Sequence, residues 1–242
     1  MPRFFVESKN IFDTYIEICG DDARHIGRSL RMKLSDKITV CCQNTDYECE
    51  IISISDTEVK AGIISKSKTK AEPNISLTLF QAVPKSDKLE FIVQKAVELG
   101  AARIVPVLTR RCVAKYDSKS FEKKLIRLRR IAEEAAKQSG RGSIPEVLDI
   151  IDIQSYYDRI KDFDLNLICY EGGGKRFNDV KEICSSKSIS LFIGSEGGFD
   201  EIEVEKAKET GAVPITLGNR ILRCETAPVC AISVIMNLSG NI

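Results

Sequence analysis

The sequence predicts an α/β chain: a small β-barrel-like domain followed by a mostly parallel sheet with helices between its strands. Three observations carry this. Short β-type runs separated by turn residues fill the first 65 positions. From residue 77 onward, apolar runs alternate with helical patterns. Two glycine-bearing loops, Gly194-Ser-Glu-Gly-Gly198 and Leu217-Gly-Asn-Arg-Ile-Leu-Arg-Cys-Glu-Thr-Ala227, each stand between an apolar run and a helix-like segment. The expected domains are 1–70 and 75–242.

The front strands are expected at 4–6, 15–18, 37–41, 47–52 and 58–64, with turn chemistry such as Gly20-Asp-Asp between them. The polar stretch 66–74 holds Pro73 and reads as a linker. Strands of the second domain are expected at 77–83, 103–108, 165–170, 190–194 and 213–217. Ser86 or Asp87 can cap a helix with Leu89, Ile92, Val93, Ala96 and Val97 on its apolar face, and Gly100 ends it. Phe121, Leu125, Leu128, Ala132 and Ala135 recur at helical spacing, which leaves Lys123, Lys124, Arg127 and Arg130 facing outward. Asp200 with Glu203 makes a capping box, and Gly211 closes that helix. Thr226 can cap a last helix that tolerates Pro228 in its first turn and whose apolar face is Val229, Ile232, Ile235, Met236 and Leu238.

Composition narrows the function. A chain of 242 residues at 43% hydrophobic can bury a sizeable core, and no apolar run approaches membrane-helix length. Nine cysteines without a C-x-x-C pair point to a reducing cytoplasm and to no metal site. His25 is the single histidine, so a histidine-based dyad or triad is excluded, and a surface position is the ordinary expectation for it. Gly172-Gly-Gly-Lys175-Arg176 lacks the spacing and the Ser/Thr of a phosphate-binding P-loop, which argues against a nucleotidase. Net charge is only +1, yet residues 85–141 hold 15 Lys and Arg against 7 Asp and Glu, while residues 142–242 hold 10 against 16. Such an uneven field offers an anionic polymer one basic region, as a solvated helix face also would.

The two glycine loops mark a small-molecule site at the carboxyl end of a sheet, where backbone N–H groups and helix N-termini converge. Arg220 and Arg223 lie among Ile221, Leu222 and Ala227, with Glu225 beside them. Charges in apolar sequence mean either an internal Arg–Glu bridge or a ligand clamp, and the sequence leaves both open.

Taken together, "GSEGGF" and "LGNRILRCETA" resemble the RsmE-like ribosomal RNA uridine N3-methyltransferases of the SPOUT superfamily. The likeness extends to Met1-Pro-Arg-Phe-Phe, His25-Ile-Gly-Arg-Ser-Leu-Arg-Met32, Gln81-Ala-Val-Pro-Lys-Ser-Asp-Lys-Leu-Glu, Lys95-Ala-Val-Glu-Leu-Gly100, Arg110-Arg-Cys and Glu134-Ala-Ala-Lys-Gln-Ser-Gly-Arg141. Ser195 stands where the family usually has proline, and Cys224 where it usually has threonine.

The resemblance implies a PUA-like RNA-binding barrel ahead of a SPOUT domain with a C-terminal trefoil knot. It implies S-adenosylmethionine as cofactor, held in the knot mainly by main-chain groups. The expected cofactor contacts are Tyr170 and Glu171, then Gly194, Glu196 and Gly197, then Leu217, Gly218, Ile221, Leu222, Arg223, Thr226 and Ala227. It also implies a homodimer through the last helix and 16S rRNA as substrate, within the small ribosomal subunit. RNA contacts are expected from Arg3, His25, Arg28 and Arg31, and from Lys85, Arg110, Arg111, Lys123, Lys124, Arg127 and Arg141.

The uracil N3 carries a proton that an acceptor must remove, and charge then spreads onto the flanking carbonyls. Arg223 is the first candidate to stabilise that charge, with Arg3 or Arg28 as others. Glu196, Glu225 or a water are the candidate proton acceptors, although both carboxylates also suit loop capping or pairing with arginines. Two other readings stay open: a SPOUT enzyme acting on another RNA atom such as a ribose 2′-hydroxyl, and a non-catalytic RNA-binding protein of ribosome assembly.

Overall fold

The computed structural model describes every residue except 114, 115 and 117. The chain groups into two compact units. One comprises Met1–Glu72 with Ala136–Ile144, the other Pro73–Ala135 with Pro145–Ile242.

The first unit is built on β1 (Arg3–Phe5), β2 (Tyr15–Cys19), β3 (Lys37–Cys42), β4 (Thr45–Ile54) and β5 (Glu58–Lys68). They form one sheet in the order β1-β3-β4-β5-β2, antiparallel except for β1 on β3. Alternation decides which face is inside. Ile16 and Ile18, Ile38 and Val40, Cys49 and Ile51, and Val59 and Ala61 are each two apart and all buried. Ala23 of α1 (Gly20–Arg24) and Ile26 after it join the same core. Register shifts at Glu48/Cys49 and Ile51/Ser53 add twist to the sheet, which curves into an open half-barrel ending in β1 and β2.

The expected linker begins too early. Ser65, Lys66, Ser67 and Lys68 pair with Glu48, Tyr47, Asp46 and Thr45, so β5 runs on to Lys68. Those four residues are exposed, and polar composition does not stop a strand whose side chains face water.

The second unit holds a fully parallel seven-stranded sheet. Its strands are β6 (Ser76–Ala82), β7 (Arg103–Leu108), β8 (Glu146–Val147), β9 (Ile151–Asp152), β10 (Leu165–Cys169), β11 (Ser188–Ile193) and β12 (Ala212–Ile215). The order is β12-β10-β11-β6-β7-β8, with β9 also on β7. The five long expected strands are all present. The two-residue β8 and β9 are too short to show a period in sequence.

The helices are α2 (Lys88–Glu98), α3 (Ser118–Ser139), α4 (Ile153–Arg159), α5 (Glu201–Glu209) and α6 (Thr226–Leu238). Leu89, Ile92, Val93, Ala96 and Val97 of α2 are buried as the spacing predicts, and Gly100 takes φ +101° just after it. The Asp200/Glu203 capping box opens α5. The cap of α6 differs from expectation: Glu225 occupies the N-cap position without a side-chain cap bond, and Thr226 is the first helical residue. The Thr226 N–H is instead taken by the Arg223 carbonyl at 2.9 Å.

One feature of the second unit positions the site. Tyr170 N donates to Ile215 O at 3.0 Å, on the side of β12 that faces β10. Five residues later, Lys175 N donates to Pro214 O at 2.9 Å and Thr216 N returns a bond to Lys175 O. Successive carbonyls of a strand point to opposite sides. Segment 170–175 therefore passes from one edge of β12 to the other.

Candidate active site

The adjacency of β12, β10 and β11 brings three loops together at the carboxyl ends of their strands. They follow Cys169, Ile193 and Ile215, and they enclose a cavity of about 750 Å³. Residues 169–171, 193–198 and 216–224 line it, with Lys88 and Ala227.

The second of these loops is a tight turn. Gly198 N donates to Ser195 O at 3.0 Å, and Gly198 takes φ +64°. The Glu171 carboxylate occupies the space a side chain at Gly198 would need, so the first two loops are in contact. Gln81, fully buried on β6, donates to Gly194 O at 3.2 Å from below. Arg111 donates to Gly197 O at 3.1 Å from outside.

The third loop is open. Gly218, at φ +96°, has no atom within 4 Å of where a Cβ would stand. Among the described residues, the N–H groups of 219–223 donate to no protein acceptor. A run of unpaired backbone donors on a cavity wall suits a polar ligand. Arg220 and Arg223 are exposed and have no acidic partner among the described residues, and Ile221 is 90% exposed. The internal Arg–Glu bridge, one of two readings left open by the sequence, does not form.

Glu225 is bound instead by a residue that sequence reasoning passed over. Lys88 Nζ donates to Glu196 at 3.0 Å and to Glu225 at 3.2 Å, and it lies 3.7 Å from Cys224 Sγ. The two acceptors come from two different loops. Glu196 also accepts the Lys85 N–H at 3.2 Å, and Glu225 accepts the Cys224 thiol at 3.2 Å. Desolvation alone would raise both carboxyls. For Glu196 the Lys88 bond and charge together with backbone N–H bonds outweigh it, and for Glu225 the thiol, a backbone N–H and Lys88 together do, so both sit below the usual carboxylate range. Burial, then the Glu225 contact, pushes the Cys224 thiol up to about 12, so it stays protonated. The signal for Lys88 was its place just beyond the carboxyl end of β6, where site residues of parallel sheets gather.

The expected cofactor residues Tyr170, Glu171, Gly194, Glu196, Gly197, Leu217, Gly218, Ile221, Leu222, Arg223 and Ala227 all line this one cavity. Thr226 does not, because it begins α6 on the exposed side. The residues expected to meet RNA separate into two kinds. Lys85, Arg110, Arg111, Lys123 and Arg127 are exposed in the second unit, and Arg127 pairs with Glu90 at 2.8 Å. Lys124 is half-buried and donates to Ser86 O at 3.0 Å. In the first unit, His25, Arg28 and Arg31 are exposed.

Arg3 and Arg141 are otherwise placed. Arg3 makes two 2.7 Å bonds to the Asp46 carboxylate, and Arg141 is 2% exposed with Nε 2.8 Å from Glu72. Both guanidiniums are held inside the first unit, where desolvating a charge requires a partner.

Residues 71–236 match the family of RNA methyltransferase domains, and residues 18–64 match RNA methyltransferase PUA domains. The chain is 37% identical to the ribosomal RNA small subunit methyltransferase E of Bacillus subtilis, covering 97% of this chain and 96% of that protein. It is 34% identical to the protein of the same name from Mesomycoplasma hyopneumoniae, covering 95% and 96%. Its fold matches a crystal structure of ribosomal RNA small subunit methyltransferase E from Neisseria gonorrhoeae bound to S-adenosyl methionine, with a TM-score of 0.89, 31% identity and 98% of each chain covered. A PUA half-barrel followed by a parallel α/β domain, matched over nearly its whole length, places this chain in the ribosomal RNA small subunit methyltransferase E family.

Proposed function

We propose that this protein transfers a methyl group from S-adenosylmethionine to N3 of a uridine in the 16S rRNA of the small ribosomal subunit, in its decoding region. The observation that carries the reading is the cavity at the ends of β10, β11 and β12, walled by glycine-bearing loops, with unpaired backbone donors at 219–223 and Arg223 free at its rim. That donor set suits the cofactor: main-chain groups for the polar edges of a nucleoside, and no protein side chain filling the space above Gly218. The passage of 170–175 around β12 supports a knotted arrangement. The PUA unit suits RNA binding, with domain limits near 1–70 and 75–242.

When bound, S-adenosylmethionine supplies an electrophilic methyl group on a sulfonium. The protein supplies orientation and charge control. Main-chain groups of the three loops hold the donor. Arg223 faces the uracil oxygens, whose negative charge grows as the N3 proton leaves, and so stabilises the transition state more than the ground state. Glu196 and Glu225 are held ionised and can accept a proton, directly or through water. The exposed cations Lys85, Arg110, Arg111 and Lys123 draw the phosphate backbone. The protein works in the cytoplasm, as a homodimer through α6.

The test is direct. Small subunits from cells lacking the protein are incubated with the purified chain and S-adenosylmethionine, and nucleosides are analysed by mass spectrometry. 3-Methyluridine at one position is the expected product. A 2′-O-methylated nucleoside, or cofactor binding without any product, would overturn it.

A further inference from the structure

Lys88 is the first residue of α2. A cation at a helix N-terminus opposes the helix dipole, so its placement calls for a non-local reason. That reason is visible: Nζ stands 3.0 Å from Glu196 on the loop after β11 and 3.2 Å from Glu225 at the head of α6. The three side chains are between one fifth and one third exposed, so water screens them only in part. Among the described residues, Lys88 is the cation that pairs with both glycine-bearing walls of the cavity at once.

We propose that Lys88 is a positioning residue that ties the 194–198 loop to the 217–227 loop through Glu196 and Glu225 and so sets the spacing of the cofactor cavity. The inference rests on the cofactor reading above. The two carboxylates would repel each other and splay the loops if the ammonium were absent. With it, each loop is anchored to the rigid start of α2. Glu196 is also fixed by the Lys85 N–H, which belongs to the same turn, so the anchor has two attachments on that side. The Cys224 thiol touches this cluster, and the other charged groups lining the same cavity are Glu171 and the exposed Arg220 and Arg223.

The expected pH behaviour follows in sign. Both carboxyls are depressed in the folded protein. The tie is therefore complete at neutral pH and is lost as pH falls through those depressed values. Wild-type cofactor affinity weakens on acidification. A Lys88→Met protein has no tie to lose, and protonating one of its carboxyls relieves repulsion, so its affinity holds steady or improves over the same interval.

The experiment is calorimetric titration of the full chain with S-adenosylmethionine from pH 7 down to about pH 3.5, for wild type, Lys88→Met and Lys88→Arg, with thermal unfolding of each. Small-subunit methylation at saturating cofactor is measured alongside. Lys88→Met is expected to raise Kd roughly tenfold at pH 7, the scale for a partly desolvated ion pair. It should lower kcat far less, and Lys88→Arg should recover most of the loss. A folded Lys88→Met protein with wild-type Kd and wild-type pH slope overturns the proposal. Should that variant not fold, Glu196→Gln and Glu225→Gln each free one loop, and unchanged Kd in both overturns it equally. A wild-type protein that binds cofactor but modifies no rRNA defeats the proposed function while the Kd comparison still decides the role of Lys88. Absence of cofactor binding in the wild type defeats both.

Discussion

Gly174 is pressed against the peptide of Pro214: a Cβ on Gly174 would lie 2.5 Å from the Pro214 carbonyl oxygen and 2.6 Å from its carbon. This is where the loop after β10 crosses β12. The contact is with strand backbone, which cannot swing aside as a side chain can. Gly174→Ala is therefore expected to cost about 1–3 kcal/mol of stability by overpacking, read as a lower Tm. Gly218→Ala is the contrast. It has open space but sits at φ +96°, so it meets backbone strain alone, about 1–2 kcal/mol, in a loop that faces the cavity. Its main effect should be on S-adenosylmethionine affinity, and a β-branched residue there should abolish binding while the chain still folds. A Gly174→Ala protein with an unchanged Tm would show that the crossing is looser than its geometry implies.

Acid stability has a defined sign. In Asp46, burial raises the carboxyl, but bonds from Arg3 and Thr69 outweigh it and leave it below its ordinary 3.8. Glu72 behaves alike: burial opposes, while Arg141 and the Gly142 N–H prevail, holding it below 4.5. For depressed carboxyls the stabilisation is present above the unfolded value and is lost as pH falls through the folded one. Chemical denaturation should show a plateau from pH 7 to about 5 and a decline below about 4. Glu72→Gln should remove about 1.5–3 kcal/mol at pH 7, because it takes the charged acceptor away from two Arg141 hydrogen bonds and from the Gly142 N–H, and it should flatten the acid decline. An acid profile identical to wild type would place the sensitivity elsewhere.

The parts of this fold that were legible in sequence are those where local chemistry and burial agree. Val59 and Ala61, or Leu89 with Ile92 and Val93, announce their inner faces by spacing. Asp200 and Glu203 announce a helix start by their own side chains. The glycine loops were legible because glycine has few other reasons to recur at strand ends. What stayed hidden depends on which distant segments meet. Glu225 pairs with Lys88, 137 positions away, and not with the arginines next to it. Arg141 looked like one more cation of a basic block, but Glu72, whose carboxylate also accepts the Gly142 N–H, holds it inside. Position along the chain gives no sign of either. The strand at 65–68 was hidden for a different reason: its pairing with 45–48 satisfies backbone groups, and its exposed side chains carry no hydrophobic period.

Charge reversal along α3 should sort its cations. Binding of RNA is expected to weaken steeply with added salt, since each neutralised phosphate releases counterions. Lys123 is exposed and makes no ion pair among the described residues, whereas Arg127 is paired with Glu90 and Lys124 is tied to Ser86. Lys123→Glu should therefore lower affinity and reduce the salt slope by about one. Lys124→Glu should act more through local stability, visible in Tm. A salt slope untouched by Lys123→Glu would mark this face as merely solvated.

Arg223 carries the sharpest expectation about chemistry. It is exposed at the cavity rim, follows the open stretch 219–222, and its carbonyl is fixed by the Thr226 and Ala227 N–H groups at 2.9 Å each. Backbone placement is thus rigid while the guanidinium is uncommitted. A group of that kind can strengthen its contact as charge develops on the uracil oxygens, without first breaking an internal bond. Arg223→Ala should lower kcat by about a hundredfold, the scale for losing one preorganised donor to a developing oxyanion. Its Kd for S-adenosylmethionine should change little, because main-chain groups hold the cofactor. Arg223→Lys should not restore the rate if a planar two-pronged contact is used. Arg220 is the internal control: equally exposed and equally unpaired, but three residues farther from the start of α6. If Arg220→Ala carries the large kcat effect and Arg223→Ala does not, the two arginines exchange roles.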